Sequence, residues 1–379
     1  MTRIPVLHMQ FQDPRMTREA IVERLRLHKR SLMARKQGYQ PKLKPDGTLD
    51  QQAWKTLLTD FPVAWEYGKR IDRWAKTISQ RHEVVNGLSH LKTADRERLE
   101  TLREGVGLAV VSTEHQADEL AAKLHAEFPW MGAATEAVWN GMRNSVRRGD
   151  PGLRLPPILL DGPPGIGKSA WARHLGGLLG TVTTAVEATN ENASFGLVGS
   201  QRAWSNATPG RVVNTILAHR IGNPVVIVDE VEKAGRTHSN RGVAYGLAEA
   251  LLPLLEPVSS RSWSCPYFEV KFDLSFLIWV LTSNTCALLP EPLLSRCPPI
   301  RLHALTLDEL EAFARRQGVR RGLSAISIDA IVEALHGVAR PEQLSLRTVL
   351  RMIERGSSLE GGAWHLHVDF HPEVTRVGA

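Results

Sequence analysis

Two short runs in this sequence carry residues that can work together on a phosphate chain. The first, Gly162-Pro163-Pro164-Gly165-Ile166-Gly167-Lys168-Ser169, fits the pattern G-x-x-x-x-G-K-[ST]. Its glycines let backbone amides curl inward around phosphate oxygens, and a helix opening after Gly167 adds its positive end. Lys168 is placed to reach the terminal phosphates, and the Ser169 hydroxyl to ligate Mg²⁺. The second run, Val225-Val-Ile-Val-Asp229-Glu230, ends an apolar stretch in two carboxylates. Asp229 suits the metal's water shell, and Glu230 suits the polarising of an attacking water. Together these residues point to binding and hydrolysis of a nucleoside triphosphate, with ATP and Mg²⁺ as the expected ligands.

Such residues must be held by elements that the sequence also announces. The apolar run Ile158-Leu-Leu-Asp161 leads into the glycine-rich loop, and a helical run, Ala170–Leu179, follows it. Similar runs recur at Val182–Val186, Val225–Val228 and Phe276–Leu281, with helical segments between them. Strands alternating with helices predict an α/β fold, a parallel sheet with helices on both faces. From Leu305 to about Gly356 the pattern is helical again. Thr306-Leu-Asp-Glu309 is a capping-box start, a second helix is expected near Ser327–Leu335, and a third opens at Ser345 and carries Arg347.

Residues up to about 130 read as mainly helical. They include an ion-pair-laced segment, Thr93–Glu104, and an Ala/Leu/Glu-rich segment from about Glu114. Trp54, Trp65 and Trp74 are expected as core anchors of these packed helices. The domain plan is therefore a mainly helical accessory domain (1–130), a nucleotide-binding core (131–303), a helical lid (304–358) and a tail (359–379).

Composition narrows the setting. The formal net charge is +7 and the pI about 9.5, with many cations early, such as Arg24, Arg26, Lys29 and Arg30. They alternate with Ile21, Leu25 and Leu32, as on the polar face of an amphipathic helix, although an anionic partner such as nucleic acid would suit them too. The three cysteines, Cys265, Cys286 and Cys297, have no C-x-x-C spacing and read as reduced intracellular thiols. The first residues lack a continuous apolar segment, and no run approaches the ~20 apolar residues of a membrane helix. A cytoplasmic protein without membrane contact is expected.

The stretch from about Ile158 to Leu302 resembles the ATPase module of the Lon protease family within the AAA+ superfamily. The matching pieces are the glycine-rich loop, Thr208-Pro-Gly210, Gly222 through Lys233, Phe268 through Ser275, Thr282-Ser-Asn284 and Pro292-Leu-Leu-Ser-Arg296, in the family's order. The resemblance implies a P-loop AAA+ module with a C-terminal helical lid. It implies that Asn284 is the sensor-1 residue placing the lytic water. It makes Arg296 an arginine finger directed at a neighbouring subunit's γ-phosphate, and Arg347 the sensor-2 arginine of the lid. The family has an acidic residue before the finger, where this chain has Ser295. A finger acting across an interface implies a homo-oligomeric ring, most simply a hexamer with head-to-tail contacts.

Trp204 stands where the family places its first pore-loop aromatic, followed here by Ser205 in place of an aliphatic residue. Trp263 falls at the second pore loop. The implied activity is ATP-driven remodelling or unfolding of a protein client through a central pore. A nucleic-acid-associated AAA+ regulator and a nucleotide-dependent assembly switch are the alternatives. Little chain follows the Arg347 helix, so a protease domain of the Lon kind is not expected in this polypeptide. The tail's His365, His367 and His371 invite a metal reading, but no Cys or second carboxylate completes a set.

Overall fold

Helices dominate the first hundred residues because apolar positions recur there three and four apart. α1 (Arg18–Lys36) starts at Thr17, whose hydroxyl accepts from the Ala20 amide, and buries Ile21 and Ala34. α2 (Gln51–Leu58) is capped in the same way by Asp50. α3 (Trp65–Val85) buries the row Ile71, Ala75 and Ser79, and α4 (Thr93–Glu100) buries Asp95 and Leu99. The computed structural model describes residues 3–11, 13–41, 50–87, 89–189, 193–234, 237–238, 244–338 and 344–362. The chain divides into two units, one of residues 5–105 with 268–271, the other of residues 1–4, 106–267 and 272–379.

In the first of these units Trp54 packs against a cluster of Ala34, Leu58 and Phe61, as a core anchor should. Trp65 and Trp74 do not follow the sequence expectation, being 72% and 48% exposed. The small residues Ala75 and Ser79 hold the buried row of α3. At 3.6 residues per turn the two indoles fall roughly 80–100° around the helix from that row.

The other unit opens with α5 (Glu114–Glu127) and α6 (Gly132–Arg148). α5 therefore groups with the sheet and not with the helices before it, although a boundary near residue 130 was expected. Glu114 of α5 takes hydrogen bonds from Arg143 and Arg147 of α6, and the Trp139 indole donates to Asp118 at 2.6 Å. Chain order then runs β1 (Ile158–Asp161), α7 (Lys168–Leu178), β2 (Thr183–Glu187), α8 (Ala193–Val198), α9 (Arg211–His219) and β3 (Val225–Asp229). It continues through α10 (Leu247–Leu255), α11 (Pro257–Ser260), β4 (Ile278–Ser283), α12 (Glu291–Arg296) and β5 (Pro299–Arg301).

The five strands form one parallel sheet in the order β5-β1-β4-β3-β2. Val280 of β4 is opposite Ile158 of β1 on one side and Ile227 of β3 on the other. Central strands buried on both faces read as unbroken apolar runs, which is why they were visible in sequence. β4 starts two residues later than expected and so reaches Ser283, at the sheet's carboxyl edge.

The lid comprises α13 (Leu307–Arg320), α14 (Ala325–His336) and α15 (Leu346–Gly362). Thr306 and Glu309 make the expected reciprocal cap. Leu310, Leu335, Val349 and Ile353 are fully buried between the helices. Among the described residues no helix is long and apolar enough to cross a membrane, and no group of metal-holding side chains occurs. His365, His367 and His371 lie outside the described residues.

Candidate nucleotide-binding site

The loop between β1 and α7 turns sharply because Gly165 and Gly167 adopt left-handed backbone, φ +80° and +95°. A side chain at Gly165 would strike Ser345 at 2.6 Å, so the lid's last helix approaches the loop as closely as a bare backbone allows. The Leu346 amide donates to Gly165 O at 3.1 Å, which fixes the start of α15 on the loop. From the other side the Trp130 indole donates to Ile166 O at 2.9 Å. Gly162 N donates to Ser283 O at 3.2 Å and anchors the loop's base to β4.

Lys168, in the first turn of α7, is buried, and its ammonium is held inward. Nζ donates to Gly162 O at 2.5 Å, Pro163 O at 2.9 Å and Asn284 Oδ1 at 3.1 Å. Burial pushes its pKa down, against the pull of Glu232, Asp161, Glu230 and Asp229. Three hydrogen bonds and four nearby carboxylates hold this charge where a phosphate chain would lie.

The acids stand at the carboxyl end of β3. Ser169 Oγ donates to Asp229 Oδ1 at 2.6 Å, and Thr282 Oγ1 donates to the same oxygen at 3.1 Å. A hydroxyl and a carboxylate thus converge, the hard oxygen donors that Mg²⁺ prefers, so the residues fit the metal. Glu230 has φ +54°, rare for a residue with a side chain. Its amide donates to Thr282 Oγ1 at 3.1 Å, and its carboxylate accepts from Asn284 Nδ2 at 3.3 Å. Lys233 Nζ lies 2.9 Å from the other carboxylate oxygen. The Lys233 hydrogen bond chiefly, and that of Asn284, hold the Glu230 carboxyl below the usual carboxylate range.

These groups line one cleft of about 620 Å³ that the lid also walls, through Phe313, Gln317, Leu350 and Arg347. Glycine-rich loop, both acids, Asn284 and Arg347 are therefore brought together. Arg296 is elsewhere in its unit. It ends α12, donates to Pro292 O at 3.0 Å, and lies 3.6 Å from Glu256. Trp204 sits on a loop pinched at its neck by the Gly199–Pro209 bridge, with its ring 4.9 Å from Phe195 and 45% exposed. Trp263, expected on a second exposed loop, is buried at 7% exposure. It begins a two-residue strand and lines a small cavity with Ala250 and Pro253 of α10. An indole packed there is a core residue, and this corrects the pore-loop expectation for Trp263.

Several contributors escaped the sequence reading. Thr282 is the hinge of the acid network, bonded to both Asp229 and the Glu230 amide. Glu232 accepts from the Asn284 amide at 3.0 Å, and so sets the sensor's backbone. Trp130, more than thirty residues before the loop, holds it through the Ile166 carbonyl. The polar pair Thr282-Ser283 that closes the apolar run of β4 was the available signal for the first. Glu127 binds Arg320 of the lid through two 2.6 Å contacts, while Arg316 donates to the Ala126 and Glu127 carbonyls. These bonds tether α5 to α13 and hold the Glu127 carboxyl low, Arg320 being the largest cause.

Residues 158–305 match the family model described as "ATPase family associated with various cellular activities (AAA)". The chain is similar to the Lon protease of Frankia alni, 29% identical over 282 residues that make up 68% of this chain and 32% of that protein. It is also similar to the peroxisomal Lon protease homolog 2 of Arabidopsis thaliana, 30% identical over 56% of this chain and 23% of that protein. The Lon protease of Chlamydia trachomatis is 31% identical over 52% and 23%, respectively. The chain thus spans about a third or less of the length of these relatives. The matched residues 158–305 include the loop and the paired acids, and this part of the chain is similar to the AAA-type ATPase module of the Lon proteases.

Proposed function

We propose that this chain hydrolyses ATP within a homo-oligomeric ring, a hexamer in its simplest form, and uses the cycle to remodel or unfold a protein client. The observation that carries the reading is the hydrogen-bonded set Lys168–Asn284–Glu230 beside Ser169–Asp229–Thr282 at the carboxyl ends of β1, β3 and β4. In open α/β sheets ligands bind at that edge.

Ser169 and Asp229 would hold Mg²⁺, which would supply neutralisation of charge on the phosphate oxygens. Lys168 releases its carbonyl partners and turns to the terminal phosphates. Asn284 positions the attacking water, and Glu230 Oε takes its proton. Arg347 reports the state of the cleft to the lid, since it rides on α15, the helix bonded to Gly165. Arg296, outside its own cleft, completes a neighbour's site by adding positive charge to the transferring phosphoryl group. Trp204 grips an extended client through its exposed indole. We further propose residues 5–105 as an accessory domain, and a cytoplasmic setting that keeps Cys265, Cys286 and Cys297 out of disulfides.

Steady-state ATPase assays test this. The wild type turns over ATP faster with an unfolded protein, and Trp204→Ala loses that stimulation while keeping basal turnover. Glu230→Gln still binds ATP but turns it over about 10²–10⁴-fold more slowly, the usual worth of a positioned base. Undiminished hydrolysis in Glu230→Gln would sink the site; stimulation that survives in Trp204→Ala would remove the gripping role.

A further inference from the structure

The net charge of this chain is not spread along it. Residues 5–105 hold 20 Lys and Arg against 13 Asp and Glu, while the whole chain holds 47 against 40. The excess of +7 therefore belongs entirely to the unit of four helices, and the ATPase module with its lid is balanced. Within the four-helix unit the outer face of α3 concentrates cations. Lys69, Arg70, Arg73, Lys76 and Arg81 are all exposed. On helical geometry all five lie at least about 100° from the buried row Ile71, Ala75 and Ser79.

No carboxylate partner occurs for any of the five among the described residues. Two of the helix's three acids are already engaged, Asp72 by Arg26 at 3.7 Å and Glu83 by Arg96 at 3.0 Å. The third, Glu66, lies in the first turn. Aromatic rings are interleaved with these cations. Lys69 Nζ sits 3.5 Å from the centre of the Trp65 ring, and the Arg70 guanidinium is 5.3 Å from that of Trp74. The indoles stay largely in water, flanked by positive charge.

We propose that this face of α3 binds single-stranded nucleic acid, the cations along its phosphates and the Trp74 indole, which shares the row of Arg70 and Arg81, under a base. The cations extend over the thirteen residues from Lys69 to Arg81. That is about 18 Å of helix, the axial length of about five phosphates of a stacked strand at ~3.4 Å each. Exposed rings beside a cationic track are what base stacking without sequence readout requires. An anionic membrane would instead favour a helix whose apolar and charged faces are segregated. Here Trp74 and Ile78 share their row with Arg70 and Arg81. An acidic protein segment would satisfy the cations but gives the indole no planar partner.

The test is fluorescence anisotropy of a labelled twenty-residue oligo-dT with the full chain, titrated between about 50 and 200 mM salt. Five phosphate contacts to a single strand give a log–log slope near −3.5, which is about a hundredfold loss of affinity across that range. R73Q/K76Q/R81Q flattens the slope to about −1.4 and weakens binding at low salt by at least tenfold. Trp74→Ala weakens binding about tenfold with the slope unchanged, because stacking releases no counterions. Lys168→Ala binds the oligonucleotide as the wild type does, which separates this surface from the ATPase reading. Absence of binding by the wild type at low salt overturns the proposal. So does tighter binding to phosphatidylserine vesicles or to polyglutamate than to oligo-dT, a comparison that needs no variant. An unchanged slope in the folded triple variant would equally move the contact off α3.

Discussion

In the ATPase module Lys168 and the paired acids have named partners, whereas on α3 the cations face water. Lys168 has three acceptors and Asp229 two hydroxyl donors. Lys69, Arg73 and Lys76 are exposed, with no carboxylate against them among the described residues. Desolvated charge is costly unless its geometry is fixed, so the cleft uses each group at one position for one task. Solvated charge is cheap and individually weak, so a surface can act only through the sum of many groups. The two regions should accordingly respond to substitution in opposite ways.

The largest effect is expected at Lys168. Lys168→Ala removes the only ammonium in the loop and leaves the Gly162 and Pro163 carbonyls facing the space where phosphates bind. ATP binding followed by calorimetry should fall below detection, and turnover at least about 10³-fold, as for the loss of a phosphate clamp acting in a low-dielectric site. No single Lys→Ala change on α3 should alter oligonucleotide affinity more than about fivefold, since each contributes one phosphate contact. A Lys168→Ala protein that keeps a tenth of its activity would break the contrast, because the site would then tolerate the loss as a surface does.

The two regions also differed in how far the sequence revealed them. The sheet was legible because strands buried on both faces must be apolar throughout, and Val225–Asp229 satisfies that without interruption. The loop was legible because phosphate binding needs bare backbone at fixed spacing, and Gly165 and Gly167 do adopt the left-handed conformations that the motif anticipates. Residues that act through space were not legible. Trp130 is 36 residues from the carbonyl it binds, and Glu127 is 193 from Arg320, so local pattern carries no trace of either. Trp65, Trp74 and Trp263 show the converse limit. Residue type alone favours burial for all three, but only Trp263 is buried, in a short strand beside Ala250 and Pro253 of α10. On α3 the small residues Ala75 and Ser79 occupy the buried row and leave the indoles outside.

A smaller effect, and a sharper probe, is expected at Thr282. Among the described residues its hydroxyl is the one group bonded to both Asp229 and Glu230, donating to Asp229 Oδ1 and accepting from the Glu230 amide. Thr282→Val keeps the shape of a buried strand residue and deletes only those bonds. A lost buried hydrogen-bond partner costs about 1–3 kcal/mol, so turnover should fall about 10- to 100-fold. ATP affinity should change far less, because Lys168 and the loop are untouched. Thr282→Ser should restore most of the rate. If Thr282→Val loses affinity and rate equally, the network holds nucleotide instead of orienting the base.

The smallest effect at neutral pH belongs to Lys233, and it is visible only on acidification. Lys233 is the principal reason that the Glu230 carboxyl titrates below its usual range. The base works ionised, so wild-type turnover should persist to a pH lower than an ordinary glutamate would allow. Lys233→Met removes the largest cause of that depression and leaves the Asn284 bond and the Arg347 charge as the remainder. The acid limb of kcat should therefore move upward, towards the ordinary carboxylate value of 4.5, with turnover near pH 7.5 within about twofold of wild type, since the pair is partly exposed and screened. Stability follows the same sign. A carboxyl depressed in the folded state stabilises above its unfolded pKa, and that contribution fades as pH falls through the folded value. Below neutrality Lys233→Met should lose less melting temperature on acidification than the wild type does. An acid limb that stays where it was would mean that Lys233 turns away from Glu230 once ATP is bound. The lysine would then belong with the solvated charges of α3 and not with the partnered charges of the cleft.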